Sequence, residues 1–117
     1  MASRKLPNYL RTYRKITGFS QDEVAFLMGS ESGTQVSRYE RGARKPSIET
    51  AFAYELIFGA LARDLLAGVF EKVEEKIARR APALTRKLST EKSGIVKARK
   101  LALLERISSR AVATNES

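Results

Sequence analysis

Two helix-start signatures set close together between Gly18 and Pro46 constrain this chain more than anything else in it. Ser20-Gln21-Asp22-Glu23 puts a hydroxyl at an N-cap and a carboxylate three residues later, so each side chain can satisfy a backbone amide near the other. Val24, Ala25 and Met28 then share one narrow apolar face, and Gly29 is the stop. Ser32-Gly33-Thr34-Gln35 reads as a second box, opening a helix through Val36, Tyr39 and Glu40 to about Arg41, with Gly42 as its C-cap. Helices this short do not hold themselves together in water. Each must pack on the other and on flanking helices.

Along the second helix successive residues turn by about 100°. Val36, Tyr39 and Glu40 share one face, and Thr34, Ser37, Arg38 and Arg41 share the opposite one. Ser and Thr allow close approach and Arg can fork onto guanine, so the outward face suits base edges and phosphates. An ordinary solvated helix surface has the same composition. The face alone does not decide between them.

Leu10-Arg11, Arg14, Gly18-Phe19-Ser20-Gln21, Val24-Ala25, Met28-Gly29, Val36-Ser37-Arg38-Tyr39-Glu40-Arg41-Gly42 and Pro46-Ser47 together resemble the helix-turn-helix of the Cro/phage-repressor (Xre-like) family of transcriptional regulators. The resemblance covers about half the chain, roughly residues 6–60. It implies a recognition helix, residues 33–41, lying in the DNA major groove while the helix before it crosses the backbone. It implies base contacts from Thr34, Ser37 and Arg38, with Gly33 letting the backbone come close, and phosphate contacts from Gln21, Gln35 and Arg41. It also implies a structural ion pair between Arg14 and Glu40, tying the first helix to the recognition helix. The turn departs from the family pattern. Ser30-Glu31 makes it one residue longer and leaves out the usual apolar plug.

Composition narrows the chemistry. With no Cys and no His, disulfides, thiolate or imidazole metal sites and histidine-activated nucleophiles are excluded. No enzymatic activity, metal or cofactor is expected. Met1 to Pro7 is basic without an apolar stretch, and no apolar run is long enough to span a bilayer, so neither a leader nor a membrane partner is expected. The family implies a cytoplasmic, nucleoid-associated protein of a bacterium or mobile element. The net charge is +9 and is unevenly spread. Residues 1–45 hold nine Lys/Arg against four Asp/Glu, residues 46–81 five against six, and residues 82–117 eight against three. A basic head, a neutral middle and a basic tail fit a polyanion touched at two places.

The fold expected is all-α, a repressor-like helix-turn-helix bundle followed by amphipathic C-terminal helices. Residues 1–5 form a basic N-terminal arm, 6–59 the DNA-binding domain, 60–112 a helical region for dimerisation or partner binding, and 113–117 a frayed tail. The first helix starts near Pro7 and ends at Gly18, with Leu6, Leu10, Tyr13 and Thr17 inward. Phe26 faces away from its helix's apolar face and stands outward. In the basic turn from Arg41 to Pro46, Arg44 and Lys45 are candidate phosphate contacts. Ser47 N-caps the next helix, with Ile48, Ala51, Phe52, Leu56 and Phe58 inward and Gly59 at its end.

From Ala60 to Arg80 runs a longer helix, with Leu61, Leu65/Leu66, Val69/Phe70, Val73 and Ile77 as its stripe and Glu75/Arg79 as an i, i+4 pair, until Pro82 breaks it. Residues 83–88 form a short helical piece, Ser89 to Gly94 a hinge, and Ile95 to about Val112 a last helix with Ile95, Ala98, Leu101, Leu104 and Ile107 on its apolar side. Three functions compete. The first is a sequence-specific regulator of transcription binding double-stranded DNA as a homodimer on a palindromic operator. The second is an antitoxin-type or adaptor protein whose C-terminal helices bind a protein partner. A membrane-surface or RNA-binding role for the last helix ranks lowest, because that helix has no aromatic residue.

Overall fold

The computed structural model describes residues 8–116, with side chains to residue 110, so the N-terminal arm, Leu6 and Pro7 lie outside the described residues. All regular elements among them are helices: α1 (Leu10–Thr17), α2 (Gln21–Leu27), α3 (Thr34–Glu40), α4 (Ile48–Phe58), α5 (Ala62–Leu65), α6 (Ala67–Ser89) and α7 (Ile95–Glu116). The chain forms two compact units, one ending at Phe70 and one beginning at Glu71.

In the first unit the local signals mostly act as their chemistry requires. The Ser20 box closes with both bonds: the Glu23 amide donates to Ser20 Oγ at 3.0 Å, and the Ser20 amide donates to Glu23 Oε1 at 2.8 Å. Gly18, at φ 87°, ends α1 in the left-handed conformation that glycine adopts without steric cost. The second box does not form. Gly33 is the N-cap of α3, and its amide donates to Asp22 Oδ1 on α2 at 2.8 Å. A carboxylate brought from the neighbouring helix is a stronger acceptor than the local hydroxyl, and Ser32 Oγ, in place of the Gln35 amide, meets Thr34, donating to its Oγ1 at 3.2 Å and accepting its amide at 3.4 Å.

The core joins Leu10, Val24, Ala25, Val36, Tyr54 and Leu65. Helix α4 presents a different face from the one expected. Ile48, Phe52 and Leu56 are 75%, 58% and 85% exposed, whereas Tyr54 is buried and Ile57 and Phe58 are partly so. Ring packing selects this register. The Tyr54 ring meets Tyr39 edge-on at 6.2 Å and Phe58 at 5.6 Å, and Phe58 stacks on Tyr13 at 6.3 Å. Phe26 stands outward as its position on α2 dictates. Thr17 and Ile16 lie on the exposed side of α1, so only Leu10 and Tyr13 of the described stripe face the core.

The unit does not close at Gly59. Leu65 is completely buried, and its carbonyl accepts from the Tyr9 amide at 2.7 Å, joining the far end of the unit to its start. Glu55 Oε1 accepts the Ala62 amide at 2.8 Å and so starts α5. Residues 60–66 are therefore part of the helix-turn-helix unit, and the single helix expected from Ala60 is interrupted at Leu66, whose ψ of 41° is not helical.

Among the described residues the Tyr54 hydroxyl finds no hydrogen-bond partner. Burial pushes its pKa up, with the negative charge of Glu40 adding to the effect. Two results are expected of Tyr54→Phe. Because a buried, unpaired hydroxyl is a liability, stability at pH 7 should stay level or rise by up to about 1 kcal/mol. The unfolded chain releases the phenolic proton near pH 10 while the fold retains it, so this group's contribution is intact below about pH 10 and lost above it. Urea titrations at pH 7 and in the alkaline range should show a shallower decline for the variant. An equal decline in both proteins would mean that Tyr54 ionises freely in the fold.

In the second unit α6 and α7 form an antiparallel hairpin. Arg110 Nε lies 2.7 Å from Glu74 Oε2, pairing the late part of α7 with the early part of α6. At the other end Lys97 Nζ donates to the carbonyls of Glu91 at 2.7 Å and Ser89 at 3.3 Å, closing the turn. Pro82 does not break α6. It lies on the exposed side of the helix, while buried Ala81 and Leu88 hold the helix on both sides of it. The Glu75/Arg79 ion pair is not formed. Both side chains are exposed, where such a pair stabilises by only about 0.5 kcal/mol. The inward line of α7 is Leu101, Leu104 and Ile107, with Ile95 and Ala98 exposed. Its backbone remains helical to Glu116, past the expected fraying point, because Ala111 to Glu116 contains neither Gly nor Pro.

Candidate nucleic-acid interface

Helix α3 is held by its inner face. Val36 is buried in the core, and Glu40 one turn on meets Arg14 of α1 through two bonds, Nε to Oε2 at 2.5 Å and Nη2 to Oε1 at 3.1 Å. The remaining guanidinium nitrogen donates to the Phe19 carbonyl at 3.1 Å. The side chains of Arg14 and Glu40 are only 10% and 4% exposed. Hydrogen bonding to Glu40, opposed by burial, raises the Arg14 pKa further above its ordinary value. A bidentate, shielded pair of this kind fixes both translation and rotation of α3 against α1.

Asn8 adds a second tie. Its Nδ2 donates to the Tyr39 carbonyl at 2.8 Å, while its Oδ1 accepts the Leu10 amide at 3.0 Å. The start of α1 and the end of α3 are thus held by one buried side chain, which the sequence reading did not single out. Asn two residues before a helical amide is a recognisable cap, but its long-range half has no local signal.

The opposite face of α3 is open. Thr34 and Arg38 are exposed and Ser37 half-buried, and Arg38 Nη1 reaches Gln35 Oε1 at 3.5 Å along the same surface. Arg41, the C-cap, folds back so that its Nε donates to the Ser37 carbonyl at 3.3 Å. Arg44 and Lys45 are exposed in the turn that follows. Gly33 has a protein-side reason for being glycine: a Cβ there would stand 2.8 Å from Gln21 Cβ and 2.9 Å from Asp22 Oδ1. The space it leaves is occupied by α2.

Gln21 is drawn into the ion pair, its Nε2 donating to Glu40 Oε1 at 3.1 Å. It also lines a cleft of about 680 Å³ between α1, the start of α2 and the outer edge of α3. Arg11, Thr12, Ser20, Ser37 and Arg41 share that lining. Sequence reasoning missed Arg11 and Thr12, although Arg11 lies three residues before Arg14 and hence on a neighbouring strip of α1. The cleft and the α3 surface offer hydroxyls, amides and guanidinium groups without a competing exposed carboxylate among those lining residues, an arrangement suited to phosphate oxygens and base edges.

Comparison with known families places a match to the helix-turn-helix family at residues 10–65, an interval that begins at α1 and ends at the buried Leu65. Searches among curated proteins and among solved structures returned no match. No helix among the described residues is long and apolar enough to cross a membrane. With its capped α2, its locked α3 and the family match running over both, the first unit of this chain is a DNA-binding helix-turn-helix domain of the Cro/phage-repressor (Xre-like) family.

Proposed function

We propose that this protein is a sequence-specific regulator of transcription that reads double-stranded DNA with α3 in the major groove. The observation that carries this reading is the contrast between the two faces of α3, one locked by Arg14 and Glu40 and the other exposed at Thr34 and Arg38. Thr34, Ser37 and Arg38 take base edges, with the Gly33 backbone beside them, and Gln21, Gln35, Arg41, Arg44 and Lys45 take phosphates. Such a partner puts the protein with the nucleoid in the cytoplasm.

A homodimer on a palindromic site fits this function, because one recognition helix reaches only one major-groove segment. Support comes from apolar surface without a covering element: Val73 and Ile77 on α6 are about half exposed at 49% and 47%, and Leu103 on α7 matches them at 49%. The same surface would serve a protein partner under the antitoxin or adaptor reading.

Arg38→Ala is expected to weaken binding to the selected site by about 1–3 kcal/mol and to relax preference at one base pair. Sites selected from a random duplex pool, compared by titration for both proteins, measure this. Unchanged preference would remove Arg38 from base recognition. Neutralising Lys45 should instead weaken all sequences alike and reduce the salt slope by roughly one unit. A shift in sequence preference with the slope intact would contradict its assignment to phosphate.

A further inference from the structure

The second unit carries a charge distribution that neither the hairpin nor recognition by α3 accounts for. On α6, Lys72, Lys76, Arg79, Arg80, Arg86 and Lys87 are all exposed, and no side chain among these six forms an ion pair or hydrogen bond with the described residues. At about 100° per residue all six fall within an arc of roughly 120°. From Lys76 to Thr90 there is no acidic residue. Glu75 borders the arc at its early end, while Glu74 is taken by Arg110 on another side of the helix. The hairpin is built without these cations. Its contacts include Ala81, Leu88, the inward line of α7, the Glu74–Arg110 pair and Lys97 at the turn.

We infer that this ridge of α6 is a second, sequence-independent contact surface for the phosphate backbone of duplex DNA. The spacing supports the assignment. Lys72 to Lys87 spans about 22 Å of helix axis at a rise of about 1.5 Å per residue, giving one cation per roughly 4 Å. Duplex DNA carries one phosphate per about 1.7 Å of its axis, so a ridge of this charge density laid across the backbone has several phosphates within reach of its long side chains. Guanidinium groups make up half of the set and take phosphate oxygens in bidentate fashion. Stacking of single-stranded bases would need aromatic side chains, and the ridge has none. Membrane-surface helices carry Trp or Phe on the face opposite their cations, and α6 has no aromatic residue after Phe70. The ridge extends the DNA-binding function already assigned to the first unit and rests on it only for the choice of polyanion.

The test is a full-length variant with Arg79, Arg80, Arg86 and Lys87 all changed to Gln, beside one with the three arginines changed to Lys. Binding to a random-sequence duplex is titrated across salt concentrations. Each phosphate contact contributes about 0.9 to the logarithmic salt slope, so the Gln variant should lose about 2–4 units and the Lys variant less than about one. Preference for the selected site over random duplex should stay within about twofold in both, which separates this surface from α3. Arg38→Ala should show the reverse, a lost preference with its slope largely kept. Far-UV circular dichroism confirms that the exposed substitutions leave the helices intact. A Gln variant whose slope stays within about one unit of the original overturns the inference. So does one that loses binding to single-stranded RNA or to anionic vesicles while its duplex titration is unchanged.

Discussion

Glu40→Ala is expected to destabilise the first unit by about 3–5 kcal/mol, because it strands the Arg14 guanidinium in a site only 10% exposed. Small domains hold only about 5–15 kcal/mol in total, so the loss consumes much of the margin. Gln21 loses an acceptor at the same time, and only the Phe19 carbonyl is left to receive the arginine. The four tyrosines all lie in the first unit, and the chain has no Trp. Tyrosine fluorescence during urea unfolding therefore reports this unit without interference from the hairpin. Arg14→Lys should not restore the loss, since an ammonium cannot reproduce two parallel bonds to one carboxylate. A midpoint for Glu40→Ala within about 1 kcal/mol of the parent would show that the pair is not what holds α3.

The second large effect concerns where the DNA-binding unit ends. A chain cut after Gly59 should fail to fold, while a chain cut after Phe70 should fold with the tyrosine environment of the full protein. The shorter fragment loses Leu65 from the centre of the core, the carbonyl that accepts the Tyr9 amide, and the α5 amide held by Glu55. Within the full chain Leu65→Ala should cost about 2–5 kcal/mol, the usual range for emptying a completely buried leucine site. Dispersed amide resonances from the fragment ending at Gly59 would disprove this boundary.

Different parts of the molecule were legible in the sequence to different degrees, and the reasons are physical. The Ser20 box and the glycine stops were readable because each rests on a short-range rule, whereas the Arg14–Glu40 pair, 26 residues apart, was implied only by the resemblance to the family. The face of α4 was not. Ala51-Phe52-Ala53-Tyr54-Glu55-Leu56-Ile57-Phe58 is apolar almost all round, so periodicity offered two registers and the contacts of the Tyr54 ring chose between them. Ser32 is displaced as the N-cap because Asp22, eleven positions before Gly33, arrives through the fold and takes the Gly33 amide. Pro82 failed as a breaker because it lies on the exposed side of a helix held elsewhere by Ala81 and Leu88. At the interface, the outward set on α3 followed from helix geometry. The engagement of Gln21 with Glu40 and the part played by Arg11 in the cleft needed three helices to be in place at once.

The tight seat of Gly33 against Gln21 and Asp22 has a consequence for how this protein can change. The start of α3 is anchored by a backbone amide and by the absence of a side chain, and its end by Glu40. Neither anchor draws on Thr34, Ser37 or Arg38. Those three positions can be exchanged without shifting the helix that displays them, so new specificities are reachable by substitutions that leave the scaffold's stability nearly untouched. A library randomised there should yield mostly folded members, a cassette for retargeting, whereas one that includes Gly33 should not.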